Sequence, residues 1–451
     1  MRVVHVPFGY FPDVVGGTEV YVAQLARDLG AHGVDSVIAA PSAGALGTRY
    51  EHEGRPVYRF PLSGRARLED LYGAGDEVGA RAIADILEDV RADVLHLHAF
   101  TRAASVRAVQ AARRVGVRVV FTYHTPTASC VRGTLLRHGH EPCDGALITE
   151  RCAACLLESR GIPPAIGEAL ARVPISLGSA LGSMGLSGGV VTALRARELT
   201  STRHAAFRQL VTESDAIVAV CEWVRSLLLR AGAPPNRLVL SRQGTSARAY
   251  TPPRMRSADG PLRLVYVGRL HPTKGVQVVL RALAANRDLP VMLDVFGATQ
   301  DADGAAYRAE LLSLSAGDSR VLFRGPLPAD RVVDTLAAYD ATVVPSQWLE
   351  TGPLTVLESF AAGTPVIGSN LGGICELVAH ERDGLLVPHA DTNQWGLALR
   401  RVADDRALLD RLRAGIQPPR STDDVARDMA AVYERISSRR SSGSAATAGV
   451  A

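Results

Sequence analysis

ATVVPSQWLETGPLTVLESFAAGTPVIGS, residues 341–369, contains one full unit of an α/β fold. Ala341–Pro345 is a short apolar run with the length and β-branched content of a buried strand. A helix starts within the segment Glu350–Glu358, and Ala362-Gly363-Thr364-Pro365 then turns the chain into a second strand near 365–369. Two parallel strands need such a helical crossover, so this stretch predicts a parallel sheet with helices on its faces.

The same rhythm extends in both directions. Further strands are expected near 263–268, 291–296 and 321–324, with Gly384–Val387 as a short extra one, and helices near 393–403 and 421–436. In the first half, strands are expected at 2–7, 34–40, 57–61, 93–98, 117–123, 216–220 and 237–241, with helices such as Thr18–Leu29 and Ala80–Val90 between them. Two doubly wound, Rossmann-like parallel-sheet domains are therefore expected. The first spans 1–246, the linker 247–260 carries Pro252 and Pro253, and the second domain spans 261–418. A helix at 419–436 is expected to pack back on the first domain, followed by a disordered tail at 437–451. Ligands of open parallel sheets bind beyond the carboxyl ends of the strands, so a cleft between the two sheets is the expected site. The alternation stalls at 126–212, which reads as an insertion.

Composition excludes several classes. The chain has 451 residues, with 50 basic against 46 acidic side chains and a net charge of +4, too balanced for nucleic-acid binding by bulk charge. With 47% apolar and 21% charged residues, whole-chain disorder is excluded. Lys274 is the single lysine among 49 arginines, a bias that codon usage in a GC-rich genome would produce. No run is apolar over the length needed to span a bilayer. Met1–Pro7 reads as a first strand and not as an export signal, so a cytoplasmic protein is expected. The Gly/Ser-rich stretch Ala169–Leu194 is expected to be buried or mobile, with peripheral contact at the inner membrane face as the alternative.

Four places carry candidate chemistry. Gly16-Gly17 precedes a helix, where bare backbone amides admit an anion at the positive helix end. His124 follows the strand 117–123, at the ligand-facing edge. Arg269 and Lys274 bracket a loop between a strand and a helix, an arrangement that can pair a diphosphate with two cations. Glu350 and Glu358, eight residues apart, flank the start of a helix whose Leu354 and Thr355 amides lie between them, so both carboxylates can reach one elongated ligand.

This ordered set resembles the nucleotide-sugar glycosyltransferases of classification family 4, with GT-B architecture, over roughly 1–125 and 213–436. The resemblance implies that Arg269 and Lys274 hold the donor diphosphate and that Leu354 and Thr355 offer it amides. Glu358 would accept from the ribose hydroxyls, Glu350 would lie beside the transferring sugar, His124 would contact the sugar or leaving group, and Gly16-Gly17 would close over the phosphate. It further implies a UDP- or GDP-sugar donor, a hydroxyl acceptor, retention of anomeric configuration without a catalytic metal, and a place in glycan, polysaccharide or glycolipid synthesis. Two places depart from the family pattern: Gly352-Pro353, where Pro353 lacks an N–H, and Gln243-Gly244-Thr245-Ser246 before the linker. A sugar-nucleotide epimerase of the same architecture and a non-catalytic nucleotide-sugar-binding assembly protein are the alternatives.

Cys130, Cys143, Cys152 and Cys155 cluster within the insertion, the last two as a CxxC pair. Four thiols at such spacing suit a structural zinc or iron–sulfur site, with His138 and His140 as alternative ligands.

Overall fold

Val3, Val4 and Val6 are fully buried in the first strand, β1 (Arg2–Val6), because helices cover both faces of the sheet it centres. The structure is a computed structural model that describes residues 1–13, 16–42, 44, 47–186, 188–246, 260–299 and 302–444. The expected linker 247–260 lies, but for Gly260, outside the described residues. The chain forms two compact units, one made of residues 1–242 together with Thr422 onward, the other of Gln243–Ser421.

The first unit contains β2 (Asp35–Pro41), β3 (Thr48–His52), β4 (Arg55–Phe60), β5 (Val94–Leu97), β6 (Arg118–Tyr123), the hairpin β7 (Leu136–Arg137) with β8 (Glu141–Pro142), then β9 (Ala216–Ala219) and β10 (Leu238–Leu240). Seven of these join β1 in an eight-stranded sheet of order β10-β9-β6-β5-β1-β2-β4-β3, parallel except for β3. The helix Thr422–Ser444 packs on Gly17–Leu29, burying Val425, Met429, Tyr433 and Ile436 in the core of this unit. That helix continues through Ser444, so the expected disorder from 437 does not hold to that point, and 445–451 lie outside the described residues.

The second unit contains β11 (Leu262–Val267), β12 (Val291–Phe296), β13 (Val321–Gly325), β14 (Ala341–Val344), β15 (Val366–Ser369) and β16 (Gly384–Val387). They form an all-parallel sheet in the order β13-β12-β11-β14-β15-β16. This is the Rossmann strand order, and it places the ends of β11 and β14 side by side at the switch point.

Among the described residues the insertion is mainly helical, and its stretch Ala169–Leu194, expected to be buried or mobile, forms helices that leave several apolar side chains exposed. Its helices are Thr149–Glu158, Pro164–Ala171, Ile175–Ser183, Gly189–Leu194 and Ala196–Glu213. Pro163 and Pro174 cap two of them, where a fixed φ and a missing N–H cost nothing. Ile175, Leu177, Met184 and Val190 stay exposed, so the stretch is a surface layer. Among the described residues no helix is long and apolar enough to cross a membrane.

Candidate active site

In the second unit the chain leaves β11 through Gly268 and Arg269, makes a tight turn at Pro272–Lys274, and enters the helix Val276–Ala285 at Gly275. Gly275 has φ +78°, and a Cβ there would lie 1.8 Å from the Pro345 carbonyl oxygen. Only glycine permits this backbone approach, which brings the Lys274 loop onto the loop after β14. Gln347 fastens the two: its N–H donates to the Thr273 carbonyl at 2.7 Å, and its side-chain amide donates to the carbonyls of Pro345 (2.7 Å) and His389 (2.6 Å). Gly275→Ala is expected to destabilise this unit by about 2–4 kcal/mol in chemical denaturation, since neither the positive φ nor the contact tolerates a methyl group.

The clamp brings Lys274 Nζ to 2.6 Å from Glu350 Oε1, with the Trp348 ring centroid 5.5 Å from the ammonium. Ser346 Oγ donates to the same carboxylate oxygen at 2.7 Å. Burial opposes ionisation of Glu350, but the Lys274 charge and these hydrogen bonds outweigh it and hold the carboxyl below its usual range. From the other side the Gly373 N–H donates to the Glu350 carbonyl at 2.6 Å. The ion pair is thus built into the fold.

The helix Leu354–Ala361 starts just beyond, capped by Pro353 and tied to the end of β11 by Thr355 Oγ1, which donates to the Val267 carbonyl at 3.3 Å. The helix start that carries the Leu354 and Thr355 amides therefore lies against the end of β11. Glu358 lies one turn on. Burial alone pushes its carboxyl up to about 7, and among the described residues its side chain has no hydrogen-bond or ion-pair partner. Arg269 is half-buried, with its carbonyl accepting from Tyr266 Oη at 2.8 Å. The two departures from the family pattern meet: a Cβ on Gly352 would lie 2.3 Å from Gln243 Oε1, so glycine at 352 makes room for the longer amide.

In the first unit β6 delivers His124, which is 5% exposed, and the helix Gly17–Leu29 brings Tyr21 against it edge-on, ring centroids 4.6 Å apart. Gly16 caps that helix, its N–H donating to Glu19 Oε2 at 2.8 Å, and Gly17 is the first helical residue. His124 Nε2 lies 3.1 Å from His98 Nδ1, and burial pushes the His124 imidazolium pKa down to about 3, so the ring is neutral near pH 7.

Residues 16–244, just over half of the chain, match the family described as the glycosyl transferase 4-like domain. The chain belongs to this family of glycosyltransferases. Residues 251–417 also match the family described as glycosyl transferases group 1. The chain is 32% identical to the D-inositol 3-phosphate glycosyltransferase of Rhodococcus jostii over 229 residues, 48% of this chain and 50% of that protein. With the protein of the same name from Acidothermus cellulolyticus it shares 28% identity over 424 residues, 89% of this chain and 81% of the other. The chain spans about half the length of the first of these relatives. Its fold is similar to that of the sucrose-phosphate synthase of Thermosynechococcus elongatus, with a TM-score of 0.66 at 20% identity over 96% of this chain and 98% of that one. It is also similar to Anabaena HepE in complex with UDP and glucose, with a TM-score of 0.62 at 16% identity over 98% and 100% of the two chains. The chain thus has a GT-B type pair of Rossmann-like domains.

The thiols of Cys130, Cys143, Cys152 and Cys155 do not all lie within 4.8 Å of one another. Among the described residues, the group of His, Cys, Asp or Glu ligand atoms within 4.8 Å of one another is His5, His96 and His98, not the thiols. Cys155 Sγ faces the Leu136 carbonyl at 3.9 Å and Arg132, whereas burial and then Cys130 and Cys143 push the Cys152 thiol up to about 12. Several residues of the site carried no distinct signal in the sequence. Ser346, Gln347 and Trp348 follow a strand end, and that position alone could have marked them.

Proposed function

We propose that this glycosyltransferase moves a hexosyl group from a UDP- or GDP-sugar to an acceptor hydroxyl with retention of configuration, in glycan, polysaccharide or glycolipid synthesis. The observation that carries this is the clamp of the second unit. It holds one ammonium, one ionised carboxylate, two helix-start amides and an unpartnered, largely buried carboxyl along the ends of β11 and β14. Lys274 has three N–H donors, and Glu350 takes one, so the ammonium can also bind a diphosphate. Arg269 adds a guanidinium, and Leu354 and Thr355 add amides at the positive helix end. Glu358 is the acceptor for the two ribose hydroxyls, and Glu350 lies beside the sugar. In the first unit Gly16-Gly17 and His124 attend the phosphate and the sugar.

The chemistry needs positioning and charge stabilisation. The acceptor oxygen bonds to the anomeric carbon on the face from which the nucleotide departs. The carbon–phosphate-oxygen bond breaks, and the departing phosphate oxygen takes the acceptor proton. A buried neutral His124 suits hydrogen bonding to a sugar hydroxyl better than proton abstraction.

Thermal unfolding with added nucleotides tests the donor. At a concentration of about a hundred times Kd, UDP or GDP is expected to raise Tm by about 2–4 °C. Stabilisation by neither, with ATP as the control, would reject nucleotide-sugar binding. A structural zinc or iron–sulfur cluster at Cys130, Cys143, Cys152 and Cys155 would require Cys155 to turn from Leu136. Elemental analysis of anaerobically purified protein decides it.

A further inference from the structure

Four histidines converge in the interior of the first unit, from the ends of three adjacent strands. His5 lies on β1, His96 and His98 on and just after β5, and His124 just after β6, and none is more than 5% exposed. Three of them form a single chain with Ser36 of β2. Ser36 Oγ lies 3.3 Å from His5 Nε2, His5 Nδ1 lies 3.1 Å from His98 Nε2, and His98 Nδ1 lies 3.1 Å from His124 Nε2. His96 stands beside this chain, its ring centroid 3.9 Å from that of His98, with Nδ1 bonded to Tyr433 Oη at 2.6 Å and Nε2 to Thr122 Oγ1 at 2.7 Å. The nitrogens of His5, His96 and His98 are near enough for a metal, but every one already has a hydrogen-bond partner.

We propose that Ser36, His5 and His98 are positioning residues that fix the proton of His124 on Nδ1, making it a hydrogen-bond donor. A neutral imidazole has one N–H and one bare nitrogen. Each link in the chain therefore holds one proton, and the direction of one link sets the direction of the next. The polarity is decided at Ser36. His5 Nε2 is the side-chain partner of its hydroxyl, and Ser36 is 4% exposed. A buried O–H without an acceptor costs more than an unfilled lone pair, so Ser36 donates to His5 Nε2. His5 then carries its proton on Nδ1 and donates to His98 Nε2. His98 carries its own on Nδ1 and donates to His124 Nε2. The proton of His124 is left on Nδ1, the ring nitrogen that the chain does not use. Burial keeps the histidines neutral, which preserves the one-proton rule at each link.

The role assigned to that donor, a contact with the sugar or the leaving group, rests on the function proposed above, but the tautomer does not. It is read without substrate, from the long-range proton–nitrogen correlation spectrum of the full chain labelled with nitrogen-15 histidine, the His124 signals being assigned by their loss in His124→Gln. The expected result is an Nδ1-protonated His124 in the wild type and in Ser36→Thr, favoured by more than about ten to one. In Ser36→Ala the preference should fall toward parity. A wild-type His124 protonated on Nε2 would overturn the proposal without recourse to any folding variant. So would an unchanged tautomer in Ser36→Ala. Nδ1 protonation in a protein that binds no nucleotide sugar would uphold the relay and reject the transferase reading instead.

Discussion

Lys274→Ala is expected to lower transfer from the nucleotide sugar by about a hundredfold or more, with weaker donor binding as part of the loss. Two effects combine. The diphosphate loses an ammonium, and Glu350 loses the charge that keeps it ionised 2.6 Å away in a buried place. Without that charge, the carboxylate either takes up a proton or stays ionised at a cost of about 1–3 kcal/mol. A double variant, Lys274→Met with Glu350→Gln, separates the two effects by removing both charges. It should recover most of the stability and none of the activity. Lys274→Arg is also expected to fail, because a planar guanidinium is larger than the ammonium held between Glu350 and the Trp348 ring. Wild-type turnover in Lys274→Ala, measured with the donor that gives the largest thermal shift, would exclude Lys274 from the site.

Glu358→Gln should move stability and binding in opposite directions. Burial raises the Glu358 carboxyl to about 7 from a usual value of 4.5. Its folded pKa lies above its unfolded one, so the neutral acid suits the native state. The associated stability is full below about pH 4.5 and is lost as pH rises through about 7. The glutamine variant should therefore be more stable than wild type at pH 8, by about 1–2 kcal/mol, and equal to it near pH 4. Donor binding should weaken by about tenfold to a hundredfold, the value of charge-assisted bonds to two hydroxyls. Wild-type donor affinity should rise with pH across about 7, and the variant should show no such rise. A variant that gains stability without losing affinity would make Glu358 a buried acid with no part in binding.

The parallel strands were legible because each carries a short run rich in apolar and β-branched residues, and all six strands of the second unit lie where such runs occur. Strand β3 was not legible. Thr48-Arg49-Tyr50-Glu51-His52 is an edge strand, mostly exposed, held to β4 through a turn at Glu53 and Gly54, both at positive φ. The helix Ala196–Glu213 had a signal, since Leu199, Arg203, Phe207 and Leu210 recur three and four apart, but the glycine-rich stretch before it obscured the helical start.

The site was legible in its types and not in its pairings. Lys274 and Glu350 both stood out, yet their contact depends on Gly275 meeting Pro345, which spacing along the chain cannot reveal. The histidines were individually uninformative, because each gains meaning only from a partner on another strand, as His5 does from His98, 93 residues away.

The helix that begins at Thr422 has a consequence for synthesis. Tyr433 fills the core of the first unit and reaches His96, so the unit that begins before Gln243 is completed only after Gln243–Ser421 has been made. Until then Val3, Leu25 and their neighbours lack part of their cover, while Gln243–Ser421, contiguous in the chain, has everything it needs to close. A nascent chain halted before Thr422 would hold one finished domain and one exposed apolar groove. The folding of that helix onto Gly17–Leu29, and not the folding of either sheet, then becomes the event that closes the groove.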